Sequence, residues 1–318
     1  MDFRNRSGLH NAGCEALCRA HGDPRKMVLY YAGIMAALSA LSLFLTFYLD
    51  QQIEGTGGLS MIGQRSVLST IQNVLPIVQM VLLTALQLGY HMGILRIFRR
   101  QPADQQTLFQ GFQRFGPWLR ALLLEGVLLG GLMLLALYVS AIVFSLLPVA
   151  ESFLTASQPL FESAALTGGA PVMDEALMDS LLRSMKPMLW IYPPVAALLV
   201  VPMLYRYRMT VFCLSEDGRS GALAAMRRSR MMLRRNRFAL FRLDLTFWWY
   251  YLLLALAMVL AQGDLLLAML NVSLPMSGGA AYLLFGVLGI ATQFAIQYFL
   301  MNRVTITYAA AYEALQTQ

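Results

Sequence analysis

The sequence predicts an all-α fold, a polytopic transmembrane helical bundle, and three observations carry that prediction. Of 318 residues, 58% are hydrophobic and only 13% are charged, where soluble domains carry roughly 25% charged residues. Six apolar stretches reach or approach the roughly 20 residues that cross a hydrocarbon core at 1.5 Å of rise each. The basic residues fall almost entirely in alternate connections between those stretches. A chain this apolar lacks the polar groups to cover a soluble surface, which argues against a large water-soluble enzyme.

Residues 1–26 are polar and charged and lack the apolar core of a cleaved signal peptide, so the first apolar segment is expected to insert and stay. That first span, 27–49, is uncharged throughout. The second, 74–95, holds Pro76, Gln79, Gln87 and His91 but no acid or base. The third, 126–147, is the cleanest, and Gly126, Gly130 and Gly131 at its start suggest close helix approach. The fourth, 188–205, is shorter and contains Pro193, Pro194 and Pro202. Proline is tolerable there because neighbouring helices and polar side chains can satisfy the freed carbonyls. The fifth, 245–262, follows an arginine-rich stretch, and the sixth, 280–302, closes the set. Only the outer loop 149–187 is long; Met173, Leu177 and Leu181 recur within it at four-residue spacing and predict a short amphipathic helix on the outer surface.

Six spans put both termini on one side. Of the 24 Lys and Arg residues, all but Arg65, Arg183 and Lys186 fall on the side of the termini. Positive loops resist translocation, so the N and C termini are expected in the cytoplasm. Cys14, Cys18 and Cys213 then lie in or near a reducing compartment, as free thiols.

The stretch Met226–Trp249, "MRRSRMMLRRNRFALFRLDLTFWW", sets seven arginines against a wall of apolar and aromatic residues. On a helix over 220–242, Ala222, Ala225, Met226, Ser229, Met232 and Leu233 share one face. Arg227, Arg228, Arg230, Arg234, Arg235 and Arg237 crowd the other, and Asp217 or Ser220 is placed to cap the start. A basic face and an apolar face directly before a span mark an interfacial helix. The expected partner is a bilayer with anionic phospholipids; docking of an acidic or membrane-protein partner stays open, and nucleic acid is not expected.

A threefold helix-plus-hairpin repeat is also suggested. Short basic-ended segments, "GLHNAGCEALCRAHGDPRKMVL", "TLFQGFQRFGPWLRALLL" and "GALAAMRRSRMMLRRNRFALFRL", each precede an outward span as cytoplasmic interfacial amphipathic helices. The returning spans end alike in "LGYHMGILRIFRR", "LYRYRMTVFCL" and "FLMNRVTITY".

The block "YRYRMTVFCLSEDGRSGALAAMRRSRMMLRRNRFALFRLDLTFWWYYLL" resembles the most recognisable part of a bacterial integral-membrane family known as domain of unknown function 975. The likeness is carried by Tyr205, Tyr207, Met209, Glu216, Asp217, Ser229, Met232, Phe241, Leu243, Thr246, Phe247 and Trp248 or Trp249. The closing "YEAL", Tyr312–Leu315, resembles that family's aromatic-acidic ending. The resemblance implies an architecture and carries no assigned activity, cofactor or catalytic residue.

Candidate chemistry is sparse. Glu125 and Asp244 stand at the cytoplasmic mouths of two outward spans, just past Arg120 and Arg242. Either they relay a proton or cation, as intramembrane acids often do, or they pair with the local arginines and hold helices in register. His91, beside Tyr90 and Gln87, is the one histidine inside a span; hydrogen-bonded packing is its simpler role. His10, Cys14, Cys18 and His21 resemble a zinc set, but a helix spreads them too far along its axis for one tetrahedral ion. The stripe reads more simply as the buried face of a first interfacial helix. No HExxH, GxSxG or GxxxxGK[ST] motif occurs, nor a GxGxxG opening a helix after a strand. Gly55–Ser60 and Thr167–Pro171 are glycine-rich turns in outer loops. No catalytic, cofactor or metal residues are assigned. Three functions stay open: a non-enzymatic accessory, scaffold or assembly component; a small-solute or lipid transporter or channel subunit; and an intramembrane enzyme acting on lipids, which needs a clustered acid or base pair that the sequence does not display. A water-accessible cavity lined by Gln87, His91, Glu125 and Asp244 would favour the second.

Overall fold

The computed structural model describes residues 5–20, 23–55, 62–148, 150–151, 153–155, 157–158, 175–216, 221–269 and 278–317. Among them every regular element is a helix. In chain order these are α1 (Arg6–Cys18), α2 (Pro24–Gly55), α3 (Ile62–Phe98), α4 (Gln105–Gln113), α5 (Phe115–Ser145), α6 (Glu175–Tyr207), α7 (Thr210–Glu216), α8 (Ala222–Leu233), α9 (Arg237–Asp244), α10 (Trp248–Ala261), α11 (Gly263–Met269), α12 (Gly278–Ile296) and α13 (Asn302–Gln316). A 3₁₀ turn, Leu245–Phe247, joins α9 to α10, and a π turn, Gln297–Met301, joins α12 to α13. Six stretches of helix are long and apolar enough to cross a membrane: Pro24–Gln52, Val67–Phe98, Phe115–Ser145, Trp190–Glu216, Arg237–Ala261 and Gly279–Gln316.

The chain divides into two compact units: Met1–Ala121 with Met209–Gln318, and Leu122–Arg208. In the first unit α2 packs on α3 and α12, α10 packs on α12, and α13 packs on α1 and α3. The best-buried segments are the last half of α3 and nearly all of α13. Leu88, Tyr90, Ile94 and Ile97 are buried in the former, and Val304, Ile306, Ala309, Ala310, Ala311 and Tyr312 in the latter. Short helices sit against longer ones, α1 on α13 and α4 on α3, and α8 packs on the short α7.

The second unit holds most of α5 and α6. Many of its apolar side chains are exposed, among them Leu134 at 69%, Trp190 at 83% and Leu198 at 75%. Soluble monomers rarely leave contiguous apolar surface of this kind in water; a hydrocarbon surrounding accepts it. No described atom comes within 4 Å of a Cβ placed at Gly126, Gly130 or Gly131, so the close helix approach expected there is absent within the described chain. α6 carries Pro187, Pro193, Pro194 and Pro202 inside one helix.

Three expectations differ from what is observed. The arginine helix expected over 220–242 is in two pieces, because residues 234–236 form a turn between α8 and α9. Arg230 and Arg234, like charges four apart, repel along one face, and Asn236 is a weak helix former. The surface helix expected from Met173 is continuous with the span from Glu175 on, since a run of good helix formers meets the span with no glycine to stop it. The second short helix also ends sooner: "FGPWLRALLL" belongs to the first turns of α5. Met173, Asp217, Ser220, His21 and most of both glycine-rich loops lie outside the described residues.

Candidate site: a carboxylate hub beside a polar seam and a cavity

α3 stops where Arg100 takes a left-handed conformation, φ 58°. The N–H of Arg100 then donates to the Ile97 carbonyl at 3.0 Å, and that of Gln101 to the Arg96 carbonyl at 2.9 Å, so the freed helix-end acceptors are satisfied. Arg99, the residue before this turn, forms ion pairs with Glu216 at the end of α7 and, at 2.6 Å, with Glu313 of α13. The other Glu216 oxygen pairs with Arg228 of α8 at 2.9 Å. It also accepts from the Tyr312 hydroxyl at 2.7 Å and from Gln316 Nε2 at 2.6 Å. One carboxylate thus gathers α7, α8, α13 and the end of α3. Its side chain is 19% exposed, so each bond is formed with limited competition from water. Burial works against the Arg99 charge, but its bonds to Glu216 and Glu313 outweigh that and raise its pKa. Arg114 Nη1 adds a bond to the Ser215 carbonyl at 3.0 Å.

A second seam runs along α13. Asp244 accepts from the Tyr308 hydroxyl, and the hydroxyls of Tyr308 and Tyr251 are 2.8 Å apart. Phe247 packs against both Tyr308 and His10. His10 lies 3.5 Å from the Thr307 hydroxyl and 3.7 Å from the Cys14 sulfur. Deeper in the unit, Tyr90 donates to Asn302 Oδ1 at 2.8 Å, and Asn302 Nδ2 donates to the Pro24 carbonyl at 3.1 Å. That single amide fastens α2, α3 and α13. Beside it, between α1, the start of α2 and α13, opens a cavity of about 780 Å³.

The residues singled out from sequence are dispersed. Arg227, Arg230, Arg234 and Arg235 are exposed, opposite the buried Ala222, Ala225, Met226, Ser229 and Leu233. Arg228 turns inward to the hub, and Arg237 is half-buried, its Nε buried without a hydrogen-bond partner among the described residues. Asp244 accepts from the Tyr308 hydroxyl. Glu125, in the second unit, is half-buried and feels the charge of Arg208, a cation from α6's end that sequence reasoning did not pair with it. Gln87 is exposed; His91 Nδ1 lies 2.7 Å from the Gln87 carbonyl, and the ring stands edge-on to Phe212. None of the four lines the 780 Å³ cavity. Gln79 Nε2 donates to Ser39 at 3.2 Å, and the crevice beside Ser39, Gln293 and Gln297 holds about 10 Å³, at the lower limit for one water. Among the described residues no three His, Cys, Asp or Glu side chains converge as a metal site. All three cysteines are free thiols, Cys213 buried and Cys18 exposed.

Sequence reasoning missed the hub. Arg99 entered only within a repeated span ending, and Glu216 and Glu313 only through the family resemblance. The available signal was that each stands within a turn or so of a helix end, where ion pairs can link elements.

A family model described as "Protein of unknown function (DUF975)" matches residues 34–317. No curated protein and no solved structure matches.

Proposed function

The chain belongs to the DUF975 family of unknown function, and on that premise we propose that it is a non-enzymatic component of the bacterial cytoplasmic membrane. Its role is that of an accessory, scaffold or assembly factor, with both termini and the basic helices in the cytoplasm. The observation that carries this reading is the use made of polar chemistry in the first unit. Arg99, Glu216, Glu313, Arg228, Tyr312 and Gln316 are engaged with one another, fixing short helices against span ends. The crevice between α2 and α12 beside Ser39, Gln293 and Gln297 holds only about 10 Å³. What remains outward at that end is a rigid basic surface. Arg227, Arg230, Arg234 and Arg235 are exposed on it, and each is worth about 1 kcal/mol against an anionic leaflet.

Native purification with mass spectrometry of bound proteins and lipids tests the reading. A membrane-protein partner at fixed stoichiometry is expected. Proteoliposomes that pass small solutes faster than protein-free vesicles would instead establish a transporter or channel subunit. Sidedness is read separately: a reporter fused after Gln318 should be active only in its cytoplasmic form.

A further inference from the structure

We propose that the 780 Å³ cavity between α1, the start of α2 and α13 binds one anionic phospholipid, its phosphate held by Arg25 and Arg303 and its acyl chain lying along Leu17 and Phe299. The volume falls within the roughly 300–1,000 Å³ of ligand pockets. Its lining combines two chemistries, the basic Arg25 and Arg303 with the apolar Leu17, Tyr298 and Phe299.

Arg25 and Arg303 are both exposed, and among the described residues neither guanidinium takes part in an ion pair or hydrogen bond. The one acid on the rim does not neutralise them. Asp23 Oδ1 already accepts the backbone N–H groups of Arg25 and Lys26, at 3.2 and 3.3 Å, and Oδ2 pairs with Lys26 at 3.5 Å. Asn302 is committed too, bridging Tyr90 and Pro24, so it shapes the wall and leaves the arginines to bind. Guanidinium forks fit phosphate oxygens. Phe299, 69% exposed in the π turn, offers apolar surface that a free inorganic anion would not use. That surface favours an amphiphile as occupant.

Position agrees with this. Arg25 stands at the start of the first membrane-length helix, and Arg303 lies in the last one, beyond its π turn. The inference rests on the membrane reading above, which places this end of the first unit at headgroup level; the reporter fusion tests that reading independently.

Two cysteines provide the assay. Cys14 and Cys18 line the cavity, whereas Cys213 is buried elsewhere. The full chain carrying C18S is placed in phosphatidylcholine nanodiscs with or without phosphatidylglycerol, and Cys14 labelling by a thiol reagent is timed. Phosphatidylglycerol is expected to slow labelling roughly tenfold, as for a site whose ligand stands at ~10 times its dissociation constant, with one such lipid retained in native mass spectra. R25Q/R303Q should abolish both effects while Cys213 stays unlabelled, which reports an intact fold. Equal labelling in the two lipids, or protection that survives R25Q/R303Q, overturns the proposal. Equal protection by inorganic phosphate in phosphatidylcholine discs overturns the lipid as occupant.

Discussion

Gly89 of α3 and Leu108 of α4 meet backbone to backbone: a Cβ at Gly89 would stand 1.9 Å from the Leu108 carbonyl oxygen. The contact is reciprocal, because a Cβ at Gly111 would stand 2.1 Å from the Ala85 carbonyl oxygen. Two glycines therefore let a short helix settle directly on a span, with Arg96 donating to Gln110 at 2.7 Å across the same joint.

Gly89→Ala and Gly111→Ala should each separate this joint. Overpacking costs about 1–3 kcal/mol, and more where the obstacle is backbone. Gly130→Ala, facing open space, should be neutral or slightly stabilising through helix propensity. Melting in detergent, followed by size-exclusion fluorescence, compares the three; equal behaviour would contradict the packing described.

Glu216→Gln removes the charge on which Arg99 and Arg228 converge. Hydrogen bonds to charged groups contribute about 1.5–3 kcal/mol each, so the loss should exceed 2 kcal/mol in denaturant titrations. Arg228→Gln should cost less, since its side chain is the more exposed partner. Reversal of that order would remove Glu216 from the centre of the network.

Asn302→Ala leaves the buried Tyr90 hydroxyl without its acceptor and frees the Pro24 carbonyl. A loss of about 1–3 kcal/mol is expected. The double variant with Tyr90→Phe should cost less than the sum of the two, because the second change removes the group the first one stranded.

Neutralising Arg227, Arg230, Arg234 and Arg235 together should leave thermal stability within about 0.5 kcal/mol, as surface changes do. Retention of anionic lipid should fall and lose much of its salt dependence. A collapse of stability instead would mean these side chains support the fold.

The six membrane-length helices were legible because hydropathy is a local property, summed along the chain. Sidedness was likewise readable as an expectation from Arg and Lys positions alone. The break at 234–236 was not, because periodicity continues across it: Met226, Leu233 and Leu240 are buried at seven-residue spacing whether or not the helix is continuous. The hub was hidden for another reason. Arg99, Glu216 and Glu313 are far apart in sequence, and each alone looks like an ordinary polar residue near a helix end. The close packing of α13 went unread, although its Tyr308 and Tyr312, with small alanines between them, were a sign of it. Gly126, Gly130 and Gly131 drew attention by composition, while glycines that do touch neighbours, Gly89 and Gly111 among them, were passed over. Composition does not say which side of a helix has company.

The π turn at Gln297–Met301 sets the phase of everything after it. A helix advances about 100° per residue, so a π turn that accommodates one surplus residue rotates α13 by that angle relative to α12. Deleting a single residue there would keep the hydrophobic length of the last span and yet swing Thr307, Tyr308 and Tyr312 off their partners together. Length and rotation are thus controlled by different residues in one continuous rod, and the angular setting of the most buried helix rests on five positions.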